Sequence, residues 1–167
     1  MPRHSEAVSN APYEVKNLML DVKKTILADG IPFLYAAAQV MVDGRRYYVV
    51  SSENPGGKAL LIDAETEECF LLPDGPGGVM TFIQEPGESA MLSIEEFYPV
   101  FNSASAKIIK TELHRQGGSI KVKKHVLAEV PYVHRISLLR EADGLYLAAG
   151  ILCRQKACSD DWSTPGS

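Results

Sequence analysis

The sequence lacks the features that mark disulfide-rich secreted proteins, membrane-spanning proteins and nucleic-acid-binding proteins. Three cysteines in 167 residues give no even-numbered disulfide framework, which favours reduced thiols and a cytoplasmic protein. No apolar run approaches the ~20 residues that a spanning helix needs, and the N-terminal stretch MPRHSEAVSNAPYE has no apolar signal core. The net charge of −4 argues against nucleic acid and membrane surfaces as partners.

Motifs of common catalytic sites are also missing. The sequence has no nucleophile elbow, no phosphate-binding glycine loop and no dinucleotide fingerprint. Cys153 and Cys158 have no second cysteine pair to accompany them, so a structural zinc site is not predicted. No enzyme class follows from a motif.

What the sequence does contain is a repeat. Residues 22–35 read VKKTILADGIPFLY, and residues 122–134 read VKKHVLAEVPYVH. The two stretches align throughout once Gly30 is removed, and an apolar run, an Asp-Gly turn and a tyrosine follow each of them. A looser copy between them, VMTFIQEPGESAMLSI, has its turn at Pro86-Gly87. Repeats of roughly 40 to 50 residues that consist of strands are typical of β-propeller blades.

Runs rich in Val, Ile, Tyr and Thr, separated by Gly, Pro, Asp and Asn, predict strands along most of the chain. The predicted strands are 33–42, 45–52, 58–63 and 68–72, then 78–84, 89–94, 105–112 and 119–127, and finally 133–141 and 145–152. We therefore predict an all-β fold, a partial β-propeller of about three four-stranded blades with the last blade incomplete.

The predicted domain organisation follows from the same repeat. Its parts are a disordered tail (1–13) and one propeller-type domain (14–167), which divides into an outer strand (14–27), a blade (28–75), a second blade (76–128) and a half blade (129–167). Helix is the alternative for the stretch EVKNLMLDVKKTILA, but its alignment with the predicted strand 119–127 favours a strand.

Two stretches carry a resemblance to a known family. PYVHRISLLREADGLYLAAGILC, followed by SDDWSTPG, resembles a segment of a family of uncharacterised bacterial β-propeller proteins, and PGGVMTFIQEPGE and FYPVFNSASAKI resemble the blade before it. More distantly, the chain is similar to the propeller portions of sugar lyases of the aldos-2-ulose dehydratase kind. The resemblance covers most of residues 31–167 and implies a propeller with no activity attached. The Asp-rich calcium loop of the FG-GAP propellers is missing, so that metal is not carried over.

Members of that family are longer than this chain, and three explanations stay open. The chain is a fragment or a shortened relative of a longer propeller, or it completes a ring by self-association, or its sheets are arranged differently. An open stack of blades would expose unpaired edges that recruit other chains.

His134 and Arg135 are the first candidate site residues, because the repeat aligns them with Tyr35 and Ala36, which cannot supply the same charges. In a propeller this position lies on the upper face, where loops held by a rigid scaffold gather. Imidazole can exchange a proton or bind a metal, and guanidinium can clamp a carboxylate or a sugar hydroxyl. Alternatively, the two side chains bind loop carbonyls or pair with the aspartates of the final loop.

That final loop supplies a second cluster, Asp160, Asp161 and Trp162. A sugar face can stack on the indole, the carboxylates can accept hydroxyl hydrogen bonds, and one Asp together with His134 could share a divalent cation. The alternative is an Asx turn beside a packed Trp. Tyr98, on another loop of the same face, either fills a blade interface or adds an aromatic platform.

Together these features predict a propeller-type binding or scaffold module with an upper-face site for a small polar ligand, with carbohydrate as the candidate. One alternative is a metal-assisted sugar lyase or hydrolase fragment that uses His134 as general base. Another is an inactive, shortened remnant of a longer propeller. No cofactor is required by any motif, and a divalent cation is the one candidate; the fold does not choose among these functions.

Overall fold

A computed structural model describes residues 23–73, 77–98 and 103–166, and these contain strands and no helix. The strands are β1 (Leu34–Val42), β2 (Arg45–Ser52), β3 (Ala59–Asp63), β4 (Cys69–Leu72), β5 (Thr81–Gln84), β6 (Ala90–Glu95), β7 (Lys107–Gln116), β8 (Ser119–Glu129), β9 (Val133–Glu141) and β10 (Gly144–Ile151). The all-β prediction is confirmed. Within the described residues no helix is long and apolar enough to cross a membrane.

The strands form three antiparallel sheets, each made of consecutive strands. Sheet I has the order β1-β2-β3-β4, sheet II the order β5-β6-β7-β8, and sheet III contains β9 and β10. No closed sheet is present among the described strands. Every strand predicted from residue 33 onwards is found, because alternating side chains and turn residues determine strands locally. The ends differ most at β7, which continues to Gln116 instead of stopping at residue 112.

The predicted outer strand 14–27 is not found in its described part. Residues 23–27 have no regular secondary structure, and residues 14–22, like the predicted tail 1–13, lie outside the described residues. Residues 25–31 instead form one wall of a cavity of about 610 Å³ over the outer face of sheet I. A strand needs a neighbour for its backbone groups, and no described strand pairs with this segment.

Sheets I and II enclose the larger core. One face of sheet I packs against the β5, β6 and β7 side chains of sheet II, and the buried members of this cluster are Ala36, Val40, Val42, Tyr47, Val49, Ala59, Leu61, Leu72, Val79, Phe82, Met91 and Leu113. The ring of Tyr47 meets that of Phe70 edge-on at 6.2 Å between centroids. The alternation of β1 and β2 explains this core, because every second side chain faces sheet II.

The opposite face of sheet II packs against sheet III. The buried residues of this smaller core are Met80, Leu92, Ile94, Phe97, Ala106, Ile108, Val133 and Ile136. Only the start of β9 is well buried, and residues 144–150 of β10 are all exposed. Sheet III is therefore attached to the stack mainly through β9.

The first hairpins of sheets I and III have the same backbone geometry. β9 and β10 repeat the lengths of β1 and β2 at positions 99 residues further on, and both hairpins have a β-bulge at the same place, beside Tyr35 and beside His134. The residue two before each bulge residue has a positive φ, 53° at Phe33 and 59° at Tyr132. The carbonyls of Phe33 and Tyr132 each accept a backbone hydrogen bond of 3.0 Å from the segment that follows the second strand.

The lower end of the stack, where the turns β1–β2 and β5–β6 lie, joins sheets I and II through polar side chains. The side-chain amide of Gln84 exchanges two hydrogen bonds with the backbone of Met41, at 2.7 and 3.0 Å. The carboxylate of Asp43 accepts from Ser89 Oγ at 3.0 Å and from the backbone N–H of Arg115 at 2.7 Å. Hydrogen bonds at the turns therefore join the two sheets in addition to their shared core.

Candidate functional site

The candidate site lies at the upper end of the stack, where β1, β5 and β9 begin. His134 occupies the bulge of β9, between Val133, which pairs with Ile151, and Arg135, which pairs with Gly150. A bulge leaves one residue out of the ladder and redirects its side chain, and bulges are common next to active sites. The strand is held there by the backbone N–H of Tyr132, which donates to Ser103 O at 2.9 Å.

His134 lies against sheet II. Its ring is 5.3 Å from the ring of Phe97, centroid to centroid, at an interplanar angle of 56°. Burial lowers the pKa of His134, and the positive charge of Arg135 lowers this pKa further. The imidazole is therefore neutral at neutral pH, with one nitrogen able to donate and the other able to accept a hydrogen bond.

Arg135 reaches from sheet III toward sheet I. Its Nη1 donates to the carbonyl of His134 at 2.9 Å, and its Nη2 donates to the hydroxyl of Tyr35 at 3.5 Å. Tyr35 is the bulge residue of β1, so a side chain from each of the two bulge regions meets the other at the upper end. Within the described part of the chain, Arg135 has no carboxylate within salt-bridge distance. Most of its five N–H donors are therefore available to a ligand.

The final loop forms a second group at the same end of sheet III, because it follows β10 directly. The carboxylate of Asp161 accepts from Ala157 N at 2.9 Å, from Ser163 N at 3.0 Å and from Ser163 Oγ at 2.6 Å. The hydrogen bond from Ser163 Oγ and the two backbone bonds lower the pKa of Asp161 to about 2. Asp161 thus organises its own loop, which is the Asx-turn alternative.

The other two members of this loop cluster are more open. Asp160 is exposed and accepts a hydrogen bond from Ser159 Oγ at 3.3 Å. Trp162 is half exposed, and the amine of Lys156 lies 3.6 Å from its ring centroid. A cation over an indole is a favourable contact that fixes the orientation of the ring.

The structure therefore divides the predicted site into two groups. Among the described residues, no ion pair joins His134 or Arg135 to Asp160 or Asp161. Of the alternatives expected for Arg135, the structure shows a hydrogen bond to a carbonyl, that of His134. No group of three or more His, Cys, Asp or Glu side chains in the described part of the chain is arranged to hold a metal ion. The predicted divalent cation has no ligand set there.

Tyr98 is the residue after Phe97, beyond the end of β6, and it is partly buried. Burial raises the pKa of its phenol, with a further increase from the negative charge of Glu96. Its carbonyl accepts from Ser103 Oγ at 3.4 Å. The side chain keeps its proton at neutral pH and belongs to the upper end of sheet II.

Sequence reasoning missed Tyr35 as part of this site. Tyr35 entered only as the uncharged counterpart of His134. The sequence alignment contained the signal, because it pairs Tyr35 with His134, and the two residues occupy equivalent bulges at the start of β1 and β9.

Comparisons with protein-family models, with curated proteins and with solved structures found no match to this chain. The resemblance to bacterial propeller proteins consequently stays a prediction.

Proposed function

We propose that the protein is a propeller-type binding module, with sheets I, II and III as consecutive blades and a carbohydrate-type polar ligand bound at the upper end. Three consecutive antiparallel sheets, stacked face to face, support this arrangement. β1 lies beside β5, and β5 beside β9, as expected of strands that line a propeller axis. Equal hairpin geometry in sheets I and III supports blades of one repeat.

The observation that carries the ligand proposal is the contact between Arg135 and Tyr35. It joins a guanidinium without a carboxylate partner in the described residues to a phenol, and the adjacent residue His134 supplies a neutral imidazole. Guanidinium binds planar carboxylates and hydroxyl pairs through parallel hydrogen bonds. These donors and acceptors suit a polyhydroxylated ligand, and best one that carries a carboxylate.

Backbone strain at this end supports a functional role for it. Phe33 and Tyr132 are bulky residues with positive φ, a conformation that such residues rarely adopt. Strain of this kind is found preferentially at binding and active sites, where surrounding structure maintains it. In this protein it positions the two bulges that contain Tyr35 and His134.

The test is a glycan array that includes acidic sugars, followed by calorimetry with any sugar that binds. Arg135→Ala should weaken binding at least tenfold, because it removes a charge-assisted pair of hydrogen bonds. Arg140→Ala is the matched control: this arginine is also exposed and lies on the same strand, at the lower end. Equal losses in both variants, or no heat with any sugar, would count against the proposal.

A second candidate function is that of a sugar lyase or hydrolase with His134 as general base. It is favoured by the lowered pKa of His134, since a base must be unprotonated at working pH. Turnover of an acidic oligosaccharide that His134→Ala abolishes, with binding retained, would establish this candidate. If neither binding nor turnover is detected, the explanation that is left is the shortened, inactive remnant of a longer propeller.

A further inference from the structure

The outer edge of β10 differs from the corresponding edges in the other sheets. In sheets I and II the second strand is paired on both sides, β2 with β1 and β3, and β6 with β5 and β7. In the described residues β10 pairs with β9 alone, and residues 144–150 are exposed. A strand with one unpaired side presents a row of backbone donors and acceptors that can template a further strand.

The outermost strands of sheets I and II have features that discourage such pairing. β8, at the edge of sheet II, carries Lys121, Lys123 and Lys124, and β4, at the edge of sheet I, has only four residues. Lysines and short length are two of the devices by which proteins block edge-to-edge association. β10, with the sequence GLYLAAGI, has eight residues, no charge and no proline. β1 is also a long, uncharged edge strand, but it lies against β5 of sheet II. Among the strands at the opposite edges of the three described sheets, β4, β8 and β10, β10 is the long one without such protection.

Apolar side chains on both faces of β10 would gain cover from another strand. Leu145 and Leu147 point to one face, and Tyr146, opposite Leu139 on β9, points to the other. All four are exposed. A two-stranded ribbon is marginally stable by itself in water, and added strands stabilise it.

We propose that β10 pairs antiparallel with β10 of a second copy of the chain, forming a four-stranded sheet β9-β10-β10′-β9′ across a two-fold axis. The resulting sheet has the same number of strands as sheets I and II. Self-pairing suits this strand, because an uncharged edge brings no like charges into opposition. The interface is isologous, as in most homodimers. It differs from ring completion, the form of self-association expected from the sequence, and it is independent of the ligand site.

The first experiment measures molar mass by size-exclusion chromatography with light scattering over a range of concentrations. The unmodified chain should form dimers, and Leu147→Lys should raise the dimer dissociation constant at least tenfold, because it places two like charges in the paired edge. Val126→Lys, at an exposed position on the lysine-bearing strand β8, is the matched control and should dimerise normally. Thermal unfolding of both variants checks that each is folded.

The second experiment locates the two-fold axis. Single cysteines replace Leu145, Leu147 or Ala149 in a background where the exposed Cys69 and Cys158 are serines, and a short bismaleimide then cross-links cysteine pairs that lie close together. Cross-linking should be strongest at one β10 position and weaker on either side of it, with none at Val126→Cys. A chain that is monomeric at every concentration would overturn the proposal. Dimers that survive Leu147→Lys, as face-to-face stacking or ring closure would give, would also overturn it.

Discussion

The hairpins β1–β2 and β9–β10 have nearly the same backbone in very different surroundings. Their strand lengths, their bulges and the positive φ before each first strand agree. Their burial does not: Tyr47 of β2 is 1% exposed, whereas Tyr146, its counterpart on β10, is 48% exposed. Hairpin geometry is therefore set by local sequence, by the turn and the bulge, and burial is set by the neighbouring sheets.

The same difference indicates where the stability of the fold resides. Sheet I shares a large apolar core with sheet II, and all four strands of sheet I contribute buried side chains to this core. Sheet III contributes few fully buried side chains, chiefly Val133 and Ile136 of β9. Because burial of apolar area is the main stabilising contribution, we expect equivalent mutations in the two hairpins to have unequal effects.

The largest expected difference is between Tyr47→Ala and Tyr146→Ala. Removing the buried ring of Tyr47, which packs edge-on against Phe70, should lower the free energy of unfolding by about 3–5 kcal/mol. Removing the ring of Tyr146 loses an exposed hydrogen bond of 2.9 Å to Asp143, and it should change the free energy of unfolding by about 0.5 kcal/mol. Guanidinium unfolding at a concentration where the chain is monomeric measures both. Equal losses would mean that sheet III is packed as firmly as sheet I.

Much of the strand pattern could be predicted from the sequence because its determinants are local. Strands 45–52 and 133–141 were predicted with the bounds that the structure shows, since alternation and flanking turns define them. Residues 23–27 were predicted incorrectly, although they resemble part of β8. Sequence similarity cannot supply the neighbouring strand that β8 has in β7 and that residues 23–27 lack.

The candidate site could be predicted only in part. The repeat alignment identified His134 and Arg135, because a substitution within a repeat is visible in one sequence. It could not show that the carboxylate of Asp161 already accepts hydrogen bonds from Ala157 and Ser163, since those hydrogen bonds depend on the path of the loop. Nor could residue types alone show that Arg135 extends to Tyr35 in another sheet.

The second comparison concerns the strained residues, Phe33 and Tyr132. Glycine adopts a positive φ without the steric cost that other residues have, so Phe33→Gly, at a side chain that is 65% exposed, should raise the free energy of unfolding by up to about 1 kcal/mol. Tyr132 is only 9% exposed, and Tyr132→Gly should lower it by about 2 kcal/mol, because lost packing exceeds the relief of strain. Urea unfolding distinguishes the two signs. A loss at Phe33 would show that its conformation is stabilised by contacts of its ring.

The smallest expected effect lies in the turns, where Asp43→Asn is compared with Asp143→Asn. Asp43 links sheet I to sheet II through Ser89 and the backbone of Arg115, and its replacement should lower the free energy of unfolding by about 1 kcal/mol at pH 7. Among the described residues, the side chain of Asp143 accepts a hydrogen bond from nearby Tyr146 alone, so its replacement should have less than half that effect. Chemical unfolding at pH 7 compares the two variants directly.

The pH dependence of Asp43→Asn then tests whether charge is the cause. The backbone hydrogen bond from Arg115 lowers the pKa of Asp43; partial burial opposes this shift, and the hydrogen bond from Ser89 adds to it. A carboxyl group whose pKa is lower in the folded state stabilises the fold fully above its ordinary pKa of 3.8, and this stabilisation is lost as the pH falls through the folded value. The difference between the unmodified chain and Asp43→Asn should therefore still be present at about pH 5 and should shrink below pH 4. A difference that persists unchanged in acid would mean that the shape of the turn, and not the charge of Asp43, holds sheets I and II together at this end.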